Sequence, residues 1–377
     1  MEMKTHYTIR EISSRRDLKR FIRFPLDLYR ECRQYVPALN GDQMHSLTDA
    51  PSRKYCELVL WLAEDASGKI VGRIAGMINP RYNELYSRKR ARFGWFDCIE
   101  DYEVARGLFD AACNWAKSRG MEEIHGPLYY NTMGKQGMLV EGFDNTPPFN
   151  CLYNFPYYPV FAEKYGFVKE LDWVQYKAKA SQGLPERMEM MAERLMQRYK
   201  LHVADINSLK KDKALVYKFF KNYNESFAKV PNFVPYDDAE IEEEARQVMK
   251  MLSPDTNCIL MDENNDIAAF GICFPSISEA LKKTRGRLFP FGWYHLVQAF
   301  KPRHIEVLDL MLAGNAPKYQ NTGISVIVHK FLAENFKRLN IDFAITNPQV
   351  ETNTAVNVWE RYEHEPYMRR RCYIKNI

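Results

Sequence analysis

The sequence predicts an α/β protein with a mixed sheet, built from two tandem lobes that are each a mostly antiparallel, twisted sheet flanked by helices. The first reason is length, because 377 residues exceed what one ordinary hydrophobic core needs. The second is composition, since 46% hydrophobic and 27% charged residues are typical of a globular protein. The third is order: both halves repeat one series of strand and helix patterns, which predicts lobes over residues 1–180 and 181–377.

Each half follows the order strand, helix, hairpin, strand, helix, strand, helix, strand. In the first half residues 65–68 form the hairpin turn and Gly120 ends the second helix. A polar stretch at 180–183 separates the halves, and Pro185 can begin a linking helix. The predicted strands are 7–10, 58–63, 70–78, 91–98, 124–127, 172–179, 201–203, 258–261, 267–274, 305–312, 343–346 and 371–375. The predicted helices are 16–31, 102–119, 158–165, 185–199, 211–227, 324–339 and 355–362.

Composition excludes several classes of function. No apolar run reaches the ~18 residues that cross a bilayer, and no apolar stretch follows the charged N-terminus, so we expect a cytoplasmic protein with no membrane partner. The eight cysteines show no CxxC spacing, which predicts neither a metal site nor disulfides. A net charge of +5 can attract a phosphate-bearing cofactor but is too mild to indicate DNA binding.

The segment with the clearest chemistry is the predicted strand 305–312, with the loop and helix that follow it. The helix begins around Gln320-Asn321-Thr322-Gly323-Ile324-Ser325. A helix N-terminus offers unpaired backbone N–H groups and a partial positive charge, and a glycine lets a phosphate approach the backbone closely. No acidic side chain lies between Asn315 and Ser325, so the loop is suited to an anion.

The pattern Gln320-x-x-Gly323-x-Ser325 resembles the Q/R-x-x-G-x-G/A signature of the GCN5-related N-acetyltransferases (GNAT), with Ser325 where Gly or Ala is usual. In that family the loop holds the pyrophosphate of acetyl-CoA. Segments 126–158 and 288–293 resemble the tandem two-lobe bacterial group. The resemblance implies acetyl-CoA or another acyl-CoA as co-substrate, and no metal. The residues that it assigns to this ligand are Leu310, Leu312, Gln320, Asn321, Thr322, Gly323, Ile324, Ser325 and Asn353.

The resemblance also implies an acid and a base. The family's last helix carries a Tyr that often protonates the departing thiolate, but Trp359 stands in its place, and indole is no acid near neutral pH. Tyr362 is the substitute candidate, with simple packing as the alternative. For the base we expect Glu351 first, although its alternative role is to face a helix N-terminus. Asp309 is second, because a carboxylate inside an apolar strand should have a raised pKa.

The first half departs from the family pattern at the equivalent loop. Glu100, Asp101 and Glu103 stand where a pyrophosphate would bind, and no glycine precedes the helix. Carboxylates beside a diphosphate are unfavourable, so we expect the first lobe not to hold CoA in the usual way. Residues 163–167 nevertheless resemble the family's later E-K-L-G-F run.

A long loop at 128–158 is rich in aromatic and amide side chains. Such loops often carry function, which predicts an acceptor site there. The alternative is a packed loop whose tyrosines fill the groove between the lobes. The predicted substrate-binding residues are Tyr129, Asn131, Gln136, Asn154, Tyr157 and Tyr158.

We therefore expect an acyl-CoA-dependent N-acyltransferase that moves an acetyl or acyl group from CoA to an amine of a small molecule or peptide by direct attack. One alternative, favoured by Trp359, is a non-catalytic sensor of CoA or of an amine. Another is an aminoacyl-tRNA-dependent transferase, because such enzymes also have two lobes, although the mild charge argues against it. A homodimer stays open, and the sequence does not define the acceptor or the acyl length.

Overall fold

The computed structural model describes residues 7–131, 134–180, 183–300, 304–353 and 362–377. The strands are β1 (Tyr7–Glu11), β2 (Glu57–Asp65), β3 (Ile70–Ile78), β4 (Arg90–Cys98), β5 (Glu123–Gly126), β6 (Met138–Glu141), β7 (Val168–Lys179), β8 (His202–Val203), β9 (Cys258–Met261), β10 (Ile267–Pro275), β11 (Val307–Asn315), β12 (Phe343–Thr346), β13 (Gln349–Val350) and β14 (His364–Asn376). The helices are α1 (Arg15–Leu28), α2 (Asn40–Thr48), α3 (Pro80–Tyr86), α4 (Tyr102–Ser118), α5 (Tyr157–Tyr165), α6 (Glu186–Arg198), α7 (Ile206–Leu209), α8 (Lys213–Phe227), α9 (Asp238–Met251), α10 (Ser278–Thr284), α11 (Gly292–Phe300) and α12 (Ser325–Arg338).

The predicted order of elements is confirmed wherever the structure describes the chain. The predicted helix at 355–362, with Trp359, lies outside the described residues apart from its last position. The sequence patterns missed β6 and β13, and also the helices α2, α3, α7, α10 and α11. Within the described residues, no helix combines the length and the apolar character that spanning a bilayer requires.

One mixed sheet runs through both halves of the chain. Its order is β1-β2-β3-β4-β5-β14-β7-β12-β11-β10-β9-β8, with β6 beside β14 and β13 beside β7. Neighbouring strands are antiparallel except for the parallel pairs β4–β5 and β11–β12. This confirms the predicted class of a mixed, mostly antiparallel sheet flanked by helices.

The closing strands of the two halves are exchanged. β7, from the first half, pairs with β12 of the second, while β14, from the second half, pairs with β5 of the first. β7 and β14 also pair with each other, from His364↔Ala178 to Ile374↔Val168. The division of the chain at residue 180 stays a prediction, and the sheet itself is continuous across it.

Helices cover both faces of this sheet. In the first half α4 packs on one face through Leu108 and Phe109, and α1 packs on the other through Phe21. In the second half Phe219 of α8 lies on one face, and α12 covers the other together with the linking helix α6. The sheet centre, where β7, β12 and β11 adjoin, is therefore enclosed by elements from both halves.

Candidate active site

The strands β11 and β12 diverge in the middle of the second half. They pair only as far as Leu310↔Thr346. β11 then continues to Asn315 with β10 as its one partner strand among the described residues. A register shift leaves Met311 without a partner on β10, which is a β-bulge that bends the strand. The other edge of residues 311–315 can therefore pair with an extended ligand.

The loop before α12 follows directly from this strand edge. Asn321 and Gly323 have positive φ angles of 61° and 83°. No side chain caps the start of α12. In the described part of the chain, four backbone N–H groups of this loop have no hydrogen-bond partner, those of Asn321, Gly323, Ile324 and Ser325. Such unpaired donors at a helix N-terminus are suited to a phosphate.

The other residues predicted to bind the acyl-CoA lie along or beside the open edge of β11 and the loop before α12. Leu310 packs with the apolar cluster beneath α12, whereas Leu312 packs on the α8 side of the sheet. The Thr322 hydroxyl donates to the Tyr319 carbonyl at 2.6 Å and so braces the loop. Gln320 is half-buried, and the Asn353 N–H donates to the Val350 carbonyl at 2.9 Å in the turn after β13. The structure thus places these residues around the divergence of β11 from β12, and their binding of acyl-CoA stays a prediction.

Asp309 lies one residue before the divergence and is only 1% exposed. Phe274 of β10 and Ile345 of β12 are its strand partners. Neither carboxyl oxygen has a hydrogen-bond partner within the described residues. Burial raises the pKa of Asp309 to about 7. A buried carboxyl with a pKa near neutrality can accept a proton at ordinary pH.

Two side chains from other elements, Cys151 of the first half and Tyr367 of β14, lie close enough to Asp309 to feel its charge. Burial, together with the Asp309 charge, raises the pKa of Tyr367 to about 12. Burial first, and the same charge to a smaller extent, raises the pKa of the Cys151 thiol. The buried Arg370 guanidinium donates to the Gln175 amide oxygen at 3.1 Å. Sequence patterns did not indicate these four residues, because their positions depend on tertiary packing and, for Gln175, Tyr367 and Arg370, on the exchanged strands β7 and β14.

Glu351, the first base candidate, lies at the surface instead. Its carboxylate forms ion pairs with Lys169 at 2.7 Å and with Arg369 at 3.5 Å. Along β7 the chain advances five residues, or roughly 17 Å, between the partner of Ile345 and the residue beside Glu351. The structure therefore separates the two base candidates and gives Asp309 the buried position at the divergence.

Tyr362, the candidate acid, packs against α12. Its hydroxyl lies 3.1 Å from the His329 Nδ1, and the two rings are stacked with centroids 6.0 Å apart. His329 lies one turn into α12, so Tyr362 is close to the loop that offers the free N–H groups. Its position is compatible with proton donation near that loop, which stays a prediction.

In the first half the equivalent divergence is filled by the protein itself. β4 and β5 pair only as far as Arg92↔His125. Beyond this point the Tyr157 hydroxyl donates to the Cys98 carbonyl at 2.7 Å, and the Cys98 N–H donates to the Tyr158 hydroxyl at 2.9 Å. The Asp101 side chain caps the start of α4. The backbone groups that would contact CoA here thus have protein partners.

The six residues predicted to bind an acceptor do not surround one cavity. Tyr129 and Asn131 line a cavity of about 130 Å³, whereas Tyr157 borders a different one. Asn154 is buried, with its amide bonded to both the N–H and the C=O of Leu139. Tyr158 is also buried, and Gln136 forms a bridge with Leu128. This arrangement favours the packed-loop alternative, and ligand binding by these side chains stays a prediction.

Replacing Tyr158 with phenylalanine should lower the free energy of unfolding by about 1–3 kcal/mol. The change removes the hydroxyl that accepts from Cys98 and bonds Tyr29 at 3.0 Å, and both partners are buried. Urea titration measures the loss. Tyr157→Phe is the matched control, with a smaller expected effect because that hydroxyl is only partly buried. Equal stability of Tyr158→Phe and the wild type would contradict this account of the loop.

Replacing Asp309 with asparagine should stabilise the protein more at pH 8 than at pH 5. The folded pKa of about 7 lies above the unfolded value of ~3.9, so the folded state holds a proton that the unfolded state releases. Stability is therefore lost as pH rises between these values, by roughly 4 kcal/mol at most. Thermal unfolding at the two pH values measures the effect, and a gain that is the same at both would show that Asp309 titrates normally.

Among the described residues, one cluster contains three side chains of the types that bind metals. It is formed by His125, Glu170 and Cys372. Arg90 donates to Glu170 at 2.6 Å. Burial raises the pKa of the Cys372 thiol well above its usual value, so that the thiol stays protonated. With a guanidinium already on its carboxylate, this group is suited to hydrogen bonding between strands rather than to holding a cation.

Comparison with known sequences finds two relatives of similar identity, and no protein-family model matches the chain. The chain is 29% identical to protein YghO of Escherichia coli (strain K12) over 379 residues, which cover 98% of this chain and 95% of that protein. It is 28% identical to a protein named bacterial ceramide synthase of Caulobacter vibrioides over 314 residues, which cover 81% of this chain and 79% of that protein.

Comparison with solved structures finds the same fold at low identity. A GCN5-related glucosamine N-acetyltransferase region of a fungal multi-domain GH3 β-N-acetylglucosaminidase superposes with a TM-score of 0.58 at 13% identity. The match covers 99% of this chain, which spans only 38% of that one. A tandem GNAT protein from the clavulanic acid biosynthesis pathway superposes with a TM-score of 0.56 at 11% identity, over 98% of both chains. At these identities the likeness concerns the fold.

Proposed function

We propose that this chain, which has the tandem GNAT fold, transfers an acyl group from an acyl-CoA to an amine and binds the acyl-CoA in its second half. The observation that carries the proposal is the divergence of β11 from β12, with the buried Asp309 before it and the four free N–H groups of the loop before α12 after it. Acetyltransferase names among structures of this fold support acyl transfer in general.

The residues present fit an acyl-CoA at both ends of this region. The N–H groups of Gly323, Ile324 and Ser325 would hold the pyrophosphate, and the loop carries no acidic side chain to repel it. The open edge of 311–315 would pair with the amide groups of the extended pantetheine arm. The thioester would then lie toward the divergence, next to Asp309.

Asp309 is the base in this proposal. An ammonium must lose a proton before its nitrogen can attack, and the Asp309 carboxylate accepts that proton. The nitrogen then bonds to the acyl carbon, the carbon–sulfur bond breaks, and the thiolate takes up a proton for which Tyr362 is the candidate donor. The attached nitrogen gives up its second proton to solvent, so the net products are one amide, one CoA thiol and one proton. Because the pKa of Asp309 is raised to about 7, activity should rise with pH up to that value.

A long-chain amine is the first acceptor to test within the wider class of small-molecule and peptide amines. The Caulobacter relative is named a ceramide synthase, and a ceramide is an amide of a long-chain amine. At 28% identity the relative suggests this class without defining the substrate.

The test is to incubate the protein with acyl-CoAs of increasing chain length and with short or long-chain amines. Free thiol release and the mass of the amide product are then measured. The proposal predicts thiol release that requires an amine and equals the amide formed. Acyl-CoA binding without transfer to any amine would contradict the proposal and favour a non-catalytic sensor.

A further inference from the structure

A cluster of large apolar side chains lies exposed on the connection between β10 and β11. Phe289 and Phe291 are 74% and 75% exposed, more than any other large hydrophobic residue in the described chain. Single exposed apolar residues are ordinary, but a contiguous group of this kind marks an interaction surface. We call this group the aromatic patch, and it consists of Leu288, Phe289, Phe291, Trp293, Tyr294 and Val297.

The patch is presented by a firmly packed segment. The inner side of α11 packs through Leu296 and Phe300 on the buried Ile277. Gly292 allows the tight turn before the helix, because a Cβ there would lie 2.0 Å from the Arg287 carbonyl oxygen. The patch therefore occupies the opposite side of an anchored amphipathic element, and its exposure does not come from missing core contacts.

The chain around the patch is strongly cationic. No Asp or Glu occurs between Ala280 and Ile305. Within the described residues, the exposed side chains of Lys283, Arg285 and Arg287 have no ion-pair partner. Cations that rim exposed aromatic groups match the charge of an anionic lipid surface, whose interface favours Trp and Tyr.

We propose that the aromatic patch docks this protein on the surface of an anionic lipid bilayer. The aromatic side chains enter the interfacial layer, and Lys283, Arg285 and Arg287 contact the headgroups. Docking of this kind needs no spanning helix, so it agrees with the helices of the described chain. This proposal departs from the expectation of no membrane partner, which rested on the lack of a spanning or signal segment in the sequence.

The position of the patch links docking to the candidate active site. The connection that carries the patch leaves the sheet at Pro275 of β10 and rejoins it at Leu308 of β11. These two residues are paired, and the next pair along the strands is Phe274↔Asp309. A docked molecule would therefore turn the Asp309 end of β11 toward the lipid, where an amine anchored in the bilayer could enter. This link rests on the proposed function, whereas the docking itself does not.

Co-sedimentation of the full chain with vesicles tests the docking. Vesicles of phosphatidylglycerol and phosphatidylcholine should bind the protein, vesicles of phosphatidylcholine alone should bind it weakly, and added salt should lower the binding. F289S/F291S should reduce partitioning about tenfold or more. R285Q/R287Q should reduce it by roughly fivefold for each charge removed.

The matched control is V160S/V168S, because these valines are 59% and 63% exposed but lie in the first half. This variant should partition like the wild type. Equal partitioning of F289S/F291S and the wild type would overturn the proposal. So would a self-association that F289S/F291S abolishes without any vesicle binding, since the patch would then join two copies of the chain. Acyl-CoA affinity, measured on the same variants, should stay unchanged and thereby separates this proposal from the proposed function.

Discussion

Asp309→Asn is expected to lower kcat for amine acylation by about 10²–10⁴-fold, the usual contribution of a general base, while acyl-CoA affinity stays close to that of the wild type. The asparagine amide keeps the size of the carboxyl but cannot accept the proton. The Asp309 carboxyl is 1% exposed and has no hydrogen-bond partner among the described residues, so it is available to accept a proton. Steady-state kinetics with a competent amine measures the loss.

The competing candidate gives the decisive comparison. Glu351→Gln changes a surface carboxylate that Lys169 and Arg369 already neutralise, so its kcat should remain near that of the wild type. The wild-type rate should also rise with pH up to about 7, and Asp309→Asn should remove this rise. A large loss in Glu351→Gln with full activity in Asp309→Asn would assign the base to Glu351 instead.

Gly323→Asp is expected to weaken acyl-CoA binding by roughly a hundredfold or more. A carboxylate about 4 Å from a phosphate is unfavourable by about 4 kcal/mol at an effective dielectric constant near 20. The substitution places that charge among the free N–H groups of the loop. Titration calorimetry with acetyl-CoA and with a long-chain acyl-CoA measures the affinity.

Gly323→Asn is the matched control for this loop. Asn and Asp have the same size and tolerate positive φ to a similar extent, so both variants carry the strain of a φ of 83° and the contact with Met191. The asparagine variant should therefore bind acyl-CoA far more tightly than the aspartate variant. Equal affinities would show that no phosphate lies near Gly323.

The order of the elements could be predicted because it depends on local patterns. The apolar run in β3 and the helical spacing in α12 are each visible within ten or fifteen residues. The exchange of β7 and β14 could not be predicted, because both are long strands and nothing in their own residues states which neighbour each one joins. Strand pairing of this kind is a property of the whole sheet.

The candidate site was predictable only in part for the same reason. The loop at Gly323 follows its strand directly in sequence, so its motif could be identified. The ranking of Glu351 above Asp309 rested on position in the chain, whereas the burial of Asp309 and the salt bridges of Glu351 favour the opposite order. The cations beside Glu351 come from β7 and β14, and the tyrosines that fill the first-half divergence come from the start of α5.

Hydrogen–deuterium exchange of the wild-type protein with and without acyl-CoA tests the central claim most directly. The amides of 311–315 and 321–325 are expected to gain protection when the ligand binds, because the open edge of β11 and the free donors before α12 would acquire partners. Residues 94–106 should show no change, since the groups around Cys98 already have protein partners. Protection confined to 94–106, or no protection anywhere, would contradict an acyl-CoA site in the second half.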